Sequence, residues 1–221
     1  MSKDPKSVPR RELLSARTFA LSAMACPGCH ATLADPVEQC PWCGYVGRDS
    51  LARFPFAAPA MERYIDPMGY LQAGARKRID QSLTSLRAKF PQVEISICIV
   101  DLELQTDPRE FGFWMFNASK VRDDAEAAKR PWTILLLIDD KNGRASVTSG
   151  YAIEPFIDED DFEVILRLER DHFLEKDYEK GVLKFIEEVT DTLREGARRF
   201  LKLGRKKSSR VRDSHHKGGW A

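Results

Sequence analysis

The apolar run Ile134-Leu-Leu-Leu-Ile138 constrains this chain more than any other segment. Five consecutive aliphatic side chains leave no polar face, so a strand built from them must be covered on both sides. Asp139 and Asp140 follow at once, then the turn sequence Lys141-Asn142-Gly143. Alternation resumes through Arg144, Ala145, Ser146, Val147 and Thr148 and stops at Gly150. Four acids, Asp158 to Asp161, close the stretch. Residues 132–161 are thus expected to give a buried strand, a hairpin turn, a second strand and the acidic start of a helix. Acids in a first helical turn oppose the positive end of the helix dipole, at about 0.3–1 kcal/mol each. A site in the main domain is expected in this stretch.

The flanking segments supply layers to cover such a strand. Leu71, Ala75, Ile79, Leu83, Leu86 and Phe90 recur at steps of three and four, which is one helical face, and Pro91 ends it. Arg76, Lys77, Arg78, Asp80 and Arg87 fall on its other faces, where solvation explains them. Residues 93–100 read as a second inner strand, with Cys98 as a buried thiol at its centre. The aromatic segment 108–118 places Phe111, Trp114 and Met115 at helical spacing, as in a core. Asp123, Asp124 and Glu126 lie in a charged connection before Pro131. Phe162, Val164, Ile165, Leu166 and Leu168 indicate a helix from near Asp158. Val182, Ile186, Val189, Leu193, Ala197 and Phe200 give a last helix over 181–203.

Four of the five cysteines form a separate pattern: Cys26-Pro-Gly-Cys29, then Cys40-Pro-Trp-Cys43-Gly44. Each C-x-x-C turn brings two thiolates to one tetrahedral ion, and Gly44 can take the positive φ that aims N–H groups at sulfur. Two such turns complete a closed S4 site, so Cys26, Cys29, Cys40 and Cys43 are expected to hold structural zinc. A rubredoxin-like iron site carries its knuckles further apart. A redox C-x-x-C needs one pair, and two local disulfides need export. His30 is read as lying outside the sulfur set. The loop between the knuckles carries Asp35, Glu38 and Gln39 without basic or aromatic interleaving, which disfavours nucleic-acid reading by the ribbon.

The expected organisation is a basic disordered tail (1–17), a zinc ribbon (18–50), an extended linker that packs partly on one of the two units (51–63), the main domain (64–203) and a second disordered basic tail (204–221). Net charge is +1, so no global field steers the chain to nucleic acid or membranes. The C-terminal tail is a local exception, with six Lys and Arg against Asp213, and weak contact with acidic lipid or nucleic acid is its functional reading. No apolar run reaches the roughly 18–20 residues of a membrane span. The eight residues Thr18–Ala25 are too short and too polar for a signal-peptide core, so a cytoplasmic location is expected, with export or membrane association as the alternative.

Residues 64–200 or so resemble the TPM domain. The resemblance is carried by Leu135-Leu-Leu-Ile-Asp-Asp140 with Gly150-Tyr-Ala-Ile-Glu154. Tyr64-Ile-Asp66, the aromatic helix and the segment Phe173–Gly181 also fit. Ala152 and Pro155 stand where the family usually has glycines, and the ribbon lies outside the family pattern. The resemblance implies an α/β fold, a three-layer αβα sandwich with a mixed central sheet. It also implies a divalent-cation site, calcium in characterised members, for which Asp66, Asp139, Asp140 and Glu154 are the matched acids. Phosphatase activity is attributed to plant relatives. The expected function is a non-enzymatic interaction module for a protein partner, with zinc in its ribbon and calcium at its acidic cleft. The alternative is a metal-dependent phosphatase acting on phosphomonoesters. The one Asp-x-Asp, Asp158-Glu-Asp160, falls in the acidic helix start and not after the apolar strand where a nucleophile motif would stand. The chain has no Cys-x5-Arg loop and no P-loop, while Lys141 and Arg144 are cations near Asp139.

Overall fold

The apolar run becomes the inner strand that its composition demands. In a computed structural model, described over residues 24–26, 28–29, 31–33, 37–120 and 123–216, strand β5 (Thr133–Asp139) is buried along its whole length. It lies in a four-stranded mixed sheet of order β3-β4-β5-β6. β3 (Tyr64–Ile65) and β4 (Glu94–Val100) run parallel to β5, and β6 (Arg144–Ser149) returns antiparallel through the hairpin. Gly143 in that turn has φ 60°, a conformation that glycine takes without a Cβ clash.

Helices cover both faces, giving the three-layer sandwich with a mixed central sheet. Ile95, Ile97, Ile99, Ile134, Leu136 and Ile138 pack under α2 (Ala73–Lys89), α5 (Glu159–Leu174) and α6 (Tyr178–His216). Cys98, Leu135 and Leu137 point the other way, into Trp114, Met115 and Phe116 of α3 (Pro108–Ala118). Each fully buried aliphatic side chain contributes about 1.5–3 kcal/mol of transfer free energy, which is why both layers are needed. Cys98 is fully buried, and burial, with the Asp66 charge adding, pushes its thiol up to about 12. It is an inert core residue.

The helix starts follow local chemistry. Asp107 accepts from the Arg109 N–H at 2.7 Å, with Pro108 in the first turn of α3. Asp158 caps α5 by accepting from Asp161 N–H at 2.9 Å, and Asp161 reaches back to Asp158 N–H. Asp158 to Asp161 are therefore helix-start residues, and not part of a cleft.

Three segments differ from the sequence expectation. The charged connection after α3 contains a short helix, α4 (Asp124–Lys129), because Asp123 caps it through Glu126 N–H at 2.8 Å. The boundary segment carries α1 (Gly47–Arg53) where an extended chain was expected; after it, Phe54 meets Trp114 at a tilt and Phe56 meets it edge-on, each at 5.0 Å between ring centroids. The last helix runs to His216, where the sequence reading ended it at 203 and left a disordered tail. Residues 205–216 lack proline and glycine, and the single breaker Gly204 costs only about 1 kcal/mol in a helix, so propensity lets α6 continue. The 1–17 tail, His30 and residues 217–221 lie outside the described residues. Among the described residues no helix is long and apolar enough to cross a membrane.

Candidate functional site

Two places bring together residues singled out in the sequence. The first is the ribbon, where β1 (Met24–Ala25) pairs antiparallel with β2 (Thr32–Leu33) and the two knuckles face each other. Cys26 Sγ lies 3.7 Å from Cys43 Sγ, and Cys29 Sγ lies 3.8 Å from Cys40 Sγ. All four sulfurs are within 4.8 Å of one another, close enough to hold one metal ion. The Gly28 N–H donates to Cys26 Sγ at 3.3 Å, and Gly44 has φ 77°, as the knuckle requires. Among the described residues, the ribbon's core is Cys26, Leu33 and Cys40, with Cys29, Val37 and Tyr45 against them.

The second place is the edge where the parallel strands end, the usual site of function in open α/β sheets. Asp66 follows β3, Asp101 follows β4, and Asp139 and Asp140 end β5. The chain's own groups take up each of the predicted acids here. The Asp66 carboxylate is fully buried; it accepts from Tyr70 and Leu71 N–H, both at 2.9 Å, and pairs with Arg76 at 3.0 Å. Asp139 is also fully buried. It accepts from Leu102 N–H at 3.0 Å, from Asn142 at 2.9 Å, and from Arg144 through Nη2 at 2.6 Å and Nε at 2.9 Å. Asp140 accepts from the Tyr178 hydroxyl, from Tyr70 at 3.0 Å and from Lys176 Nζ at 3.0 Å. The Tyr70 hydroxyl also lies 3.3 Å from Asp101 Oδ1.

Glu154 is not at this edge. The hairpin returns the chain to the start of β5, where Gly150 N–H bonds Thr133 and Ala152 N–H bonds Pro131. β5 spans seven residues, so at about 3.3 Å per residue Glu154 sits on the order of 20 Å from Asp139 and Asp140. The four-acid calcium set expected from the resemblance is therefore not assembled. Among the described residues, the four cysteines are the one group of three or more metal-ligating side chains gathered this closely. The carboxylates of Asp66, Asp139 and Asp140 meet cations of their own chain instead.

Several partners were missed at the sequence level. Arg76 and Arg78 were read as solvated, yet Arg76 pairs with Asp66, and Arg78 grips Glu179 of α6 through two nitrogens. Tyr70, Asp101, Lys176 and Tyr178 carried no local sign of a site. The Asp139–Arg144 pair was legible, because residues flanking a four-residue hairpin loop must face each other across the strands.

The Asp140 contacts set a pH dependence. Burial opposes its charge, but hydrogen bonds from Tyr178, Lys176 and Tyr70 outweigh burial and hold its carboxyl below the usual range. Conversely, the hydrogen bond to Asp140 pushes Tyr70 up to about 12. A carboxyl depressed on folding stabilises the fold above its ordinary pKa of about 3.9, and loses that contribution as pH falls through the folded value. Asp140→Asn is expected to melt below the native protein at neutral pH, with the gap closing in acid. Thermal melting from about pH 7 to about pH 3 checks this, and a pH-independent gap would contradict it.

The TPM domain family model matches residues 64–192. The chain belongs to the TPM domain family. No curated protein matches it. Among solved structures it is similar to the BA42 protein of the psychrophilic bacterium Bizionia argentinensis, at 13% identity and TM-score 0.46, over 59% of this chain and 86% of that one. It is also similar to the N-terminal domain of a P. gingivalis protein, at 15% identity and TM-score 0.46, over 67% of this chain and 91% of that one. The matched residues begin at β3 and end within α6, so the TPM domain holds the sheet and its carboxyl edge, while the cysteine ribbon precedes it.

Proposed function

We propose that this protein is a non-enzymatic TPM interaction module whose ribbon is held by one structural zinc ion. The sulfur geometry carries the zinc assignment. Zn–S bonds of about 2.3 Å define a tetrahedron with edges of about 3.8 Å, and the paired Sγ separations are 3.7 and 3.8 Å. Four soft sulfur donors suit zinc or iron and not calcium. A full S4 shell leaves no open position, so the ion's contribution is to hold the knuckles and not to activate water.

The carboxyl edge supports a binding role over hydrolysis. Phosphoryl transfer needs a nucleophile or metal-bound water, and cations free to clamp the phosphate. Arg76, Arg144 and Lys176 are each engaged with Asp66, Asp139 and Asp140. Calcium at Asp66, Asp139 or Asp140 would have to displace these cations. Exposed Val164 and Leu168 on α5, four residues apart, offer apolar surface to a protein partner.

Metal analysis of full-length protein purified without chelator is expected to give about one zinc per chain. Zinc-loaded protein incubated with p-nitrophenyl phosphate and millimolar Ca2+ or Mg2+ is expected to show no turnover. Saturable turnover that co-purifies with the chain, and whose KM changes on Lys176→Gln, would replace this reading with the phosphatase.

A further inference from the structure

We infer that the Lys176 ammonium is the resident cation of the carboxyl edge, and that it excludes divalent ions from Asp140. The inference is independent of the ribbon's metal.

Asp101 and Asp140 approach each other across the Tyr70 hydroxyl, at 3.3 and 3.0 Å from it. Two carboxylates this close would repel without a positive charge between or beside them. Lys176 supplies that charge, with Nζ 3.0 Å from Asp140 Oδ2. It differs from the other two cations of this edge. Arg76 also donates to Leu71 O at 2.9 Å, and Arg144 to Leu104 O at 3.2 Å, so both are fixed by backbone. Nζ of Lys176 has Asp140 as its ion-pair partner, and the side chain is 59% exposed.

The backbone at this residue is independently unusual. Lys176 is the one non-glycine residue with positive φ (61°) among the described residues. It follows the C-terminal end of α5, and the turn is closed by Asp177 N–H to His172 O at 2.9 Å. Glycine takes this helix-ending position with the least steric cost. A lysine there gives up that advantage, and what it adds is an ammonium aimed at Asp140. Glycine would instead leave Asp101 and Asp140 facing Tyr70 and Tyr178 with no tethered cation.

Lys176→Gln and Lys176→Gly are therefore expected to gain a cation site. Tyr70 and Tyr178 both touch Asp140, so bound terbium(III) would be sensitised by them. Full-length, zinc-loaded Lys176→Gln should show tyrosine-sensitised terbium emission that Ca2+ competes away. The native chain should bind on the order of tenfold more weakly or worse, because one ammonium is removed from beside the ion. The gain should disappear in Lys176→Gln combined with Asp140→Asn. Lys176→Gly tests the same gain without the backbone strain, in case Lys176→Gln folds poorly. Equal affinity in native and variant chains, binding in none of them, or a gain that survives Asp140→Asn would each overturn the inference.

Discussion

Asp139→Ala is expected to destabilise the TPM domain by about 3–5 kcal/mol, the usual cost of removing one partner from a buried ion pair. The carboxylate is fully buried and accepts four hydrogen bonds. Its loss leaves the Leu102 N–H without its acceptor and strips Arg144 of its counter-charge. Arg144 also reaches Glu103 O and Leu104 O, so the loop after β4 would loosen with the hairpin. Urea unfolding checks this, and a loss under about 1 kcal/mol would mean that water or another acceptor replaces the carboxylate. The prediction bears on functional tests as well. Any activity lost on Asp139→Ala would report unfolding, whereas Lys176 is exposed enough to be replaced with the fold intact.

Removing the zinc proposed for the four cysteines is expected to unfold the ribbon and leave the sheet folded. Structural zinc in small knuckles supplies apparent binding free energies of about 10–16 kcal/mol. Among the described residues, the ribbon has Leu33, Val37 and Tyr45 packed beside its cysteines to replace that. The TPM domain has its own core on both faces of β4 and β5. Amide exchange on a chelated sample, or on Cys40→Ser, should show protection lost over residues 24–46 and kept in β4 and β5. The boundary between the two outcomes is α1. Arg53 pairs with buried Glu110, and Phe54 and Phe56 close over Trp114, so α1 is tied to the aromatic helix more than to the sulfurs. Protection of β4 falling together with the ribbon would show that the two units fold as one.

Much of the fold was legible because its causes are local. Ile134 to Ile138 could only be an inner strand. The steps of three and four from Leu71 to Phe90 define α2, and Asp158 with Asp161 caps α5. The two C-x-x-C turns placed four sulfurs together for the same reason, since each knuckle is closed within a few residues. The length of α6 was less legible: residues 205–216 form helix on propensity alone, with no apolar face to announce it.

The cleft is where locality ended. Asp66, Asp139, Asp140 and Glu154 looked equivalent in the sequence, as acids at turns or strand ends. Strand pairing decides among them. Three parallel strands bring Asp66, Asp101 and Asp140 to one edge, and the antiparallel return of β6 carries Glu154 to the other. The counter-charges of Asp66, Asp139 and Asp140 come from ten, five and thirty-six residues away, in Arg76, Arg144 and Lys176. The sequence by itself determined the elements, the caps and the four-sulfur cluster, because those depend on periodicity and short spacing. Apart from the hairpin neighbours Asp139 and Arg144, only the tertiary structure decided which carboxylates meet and which cations neutralise them, because burying a charge requires a partner and the fold chooses it.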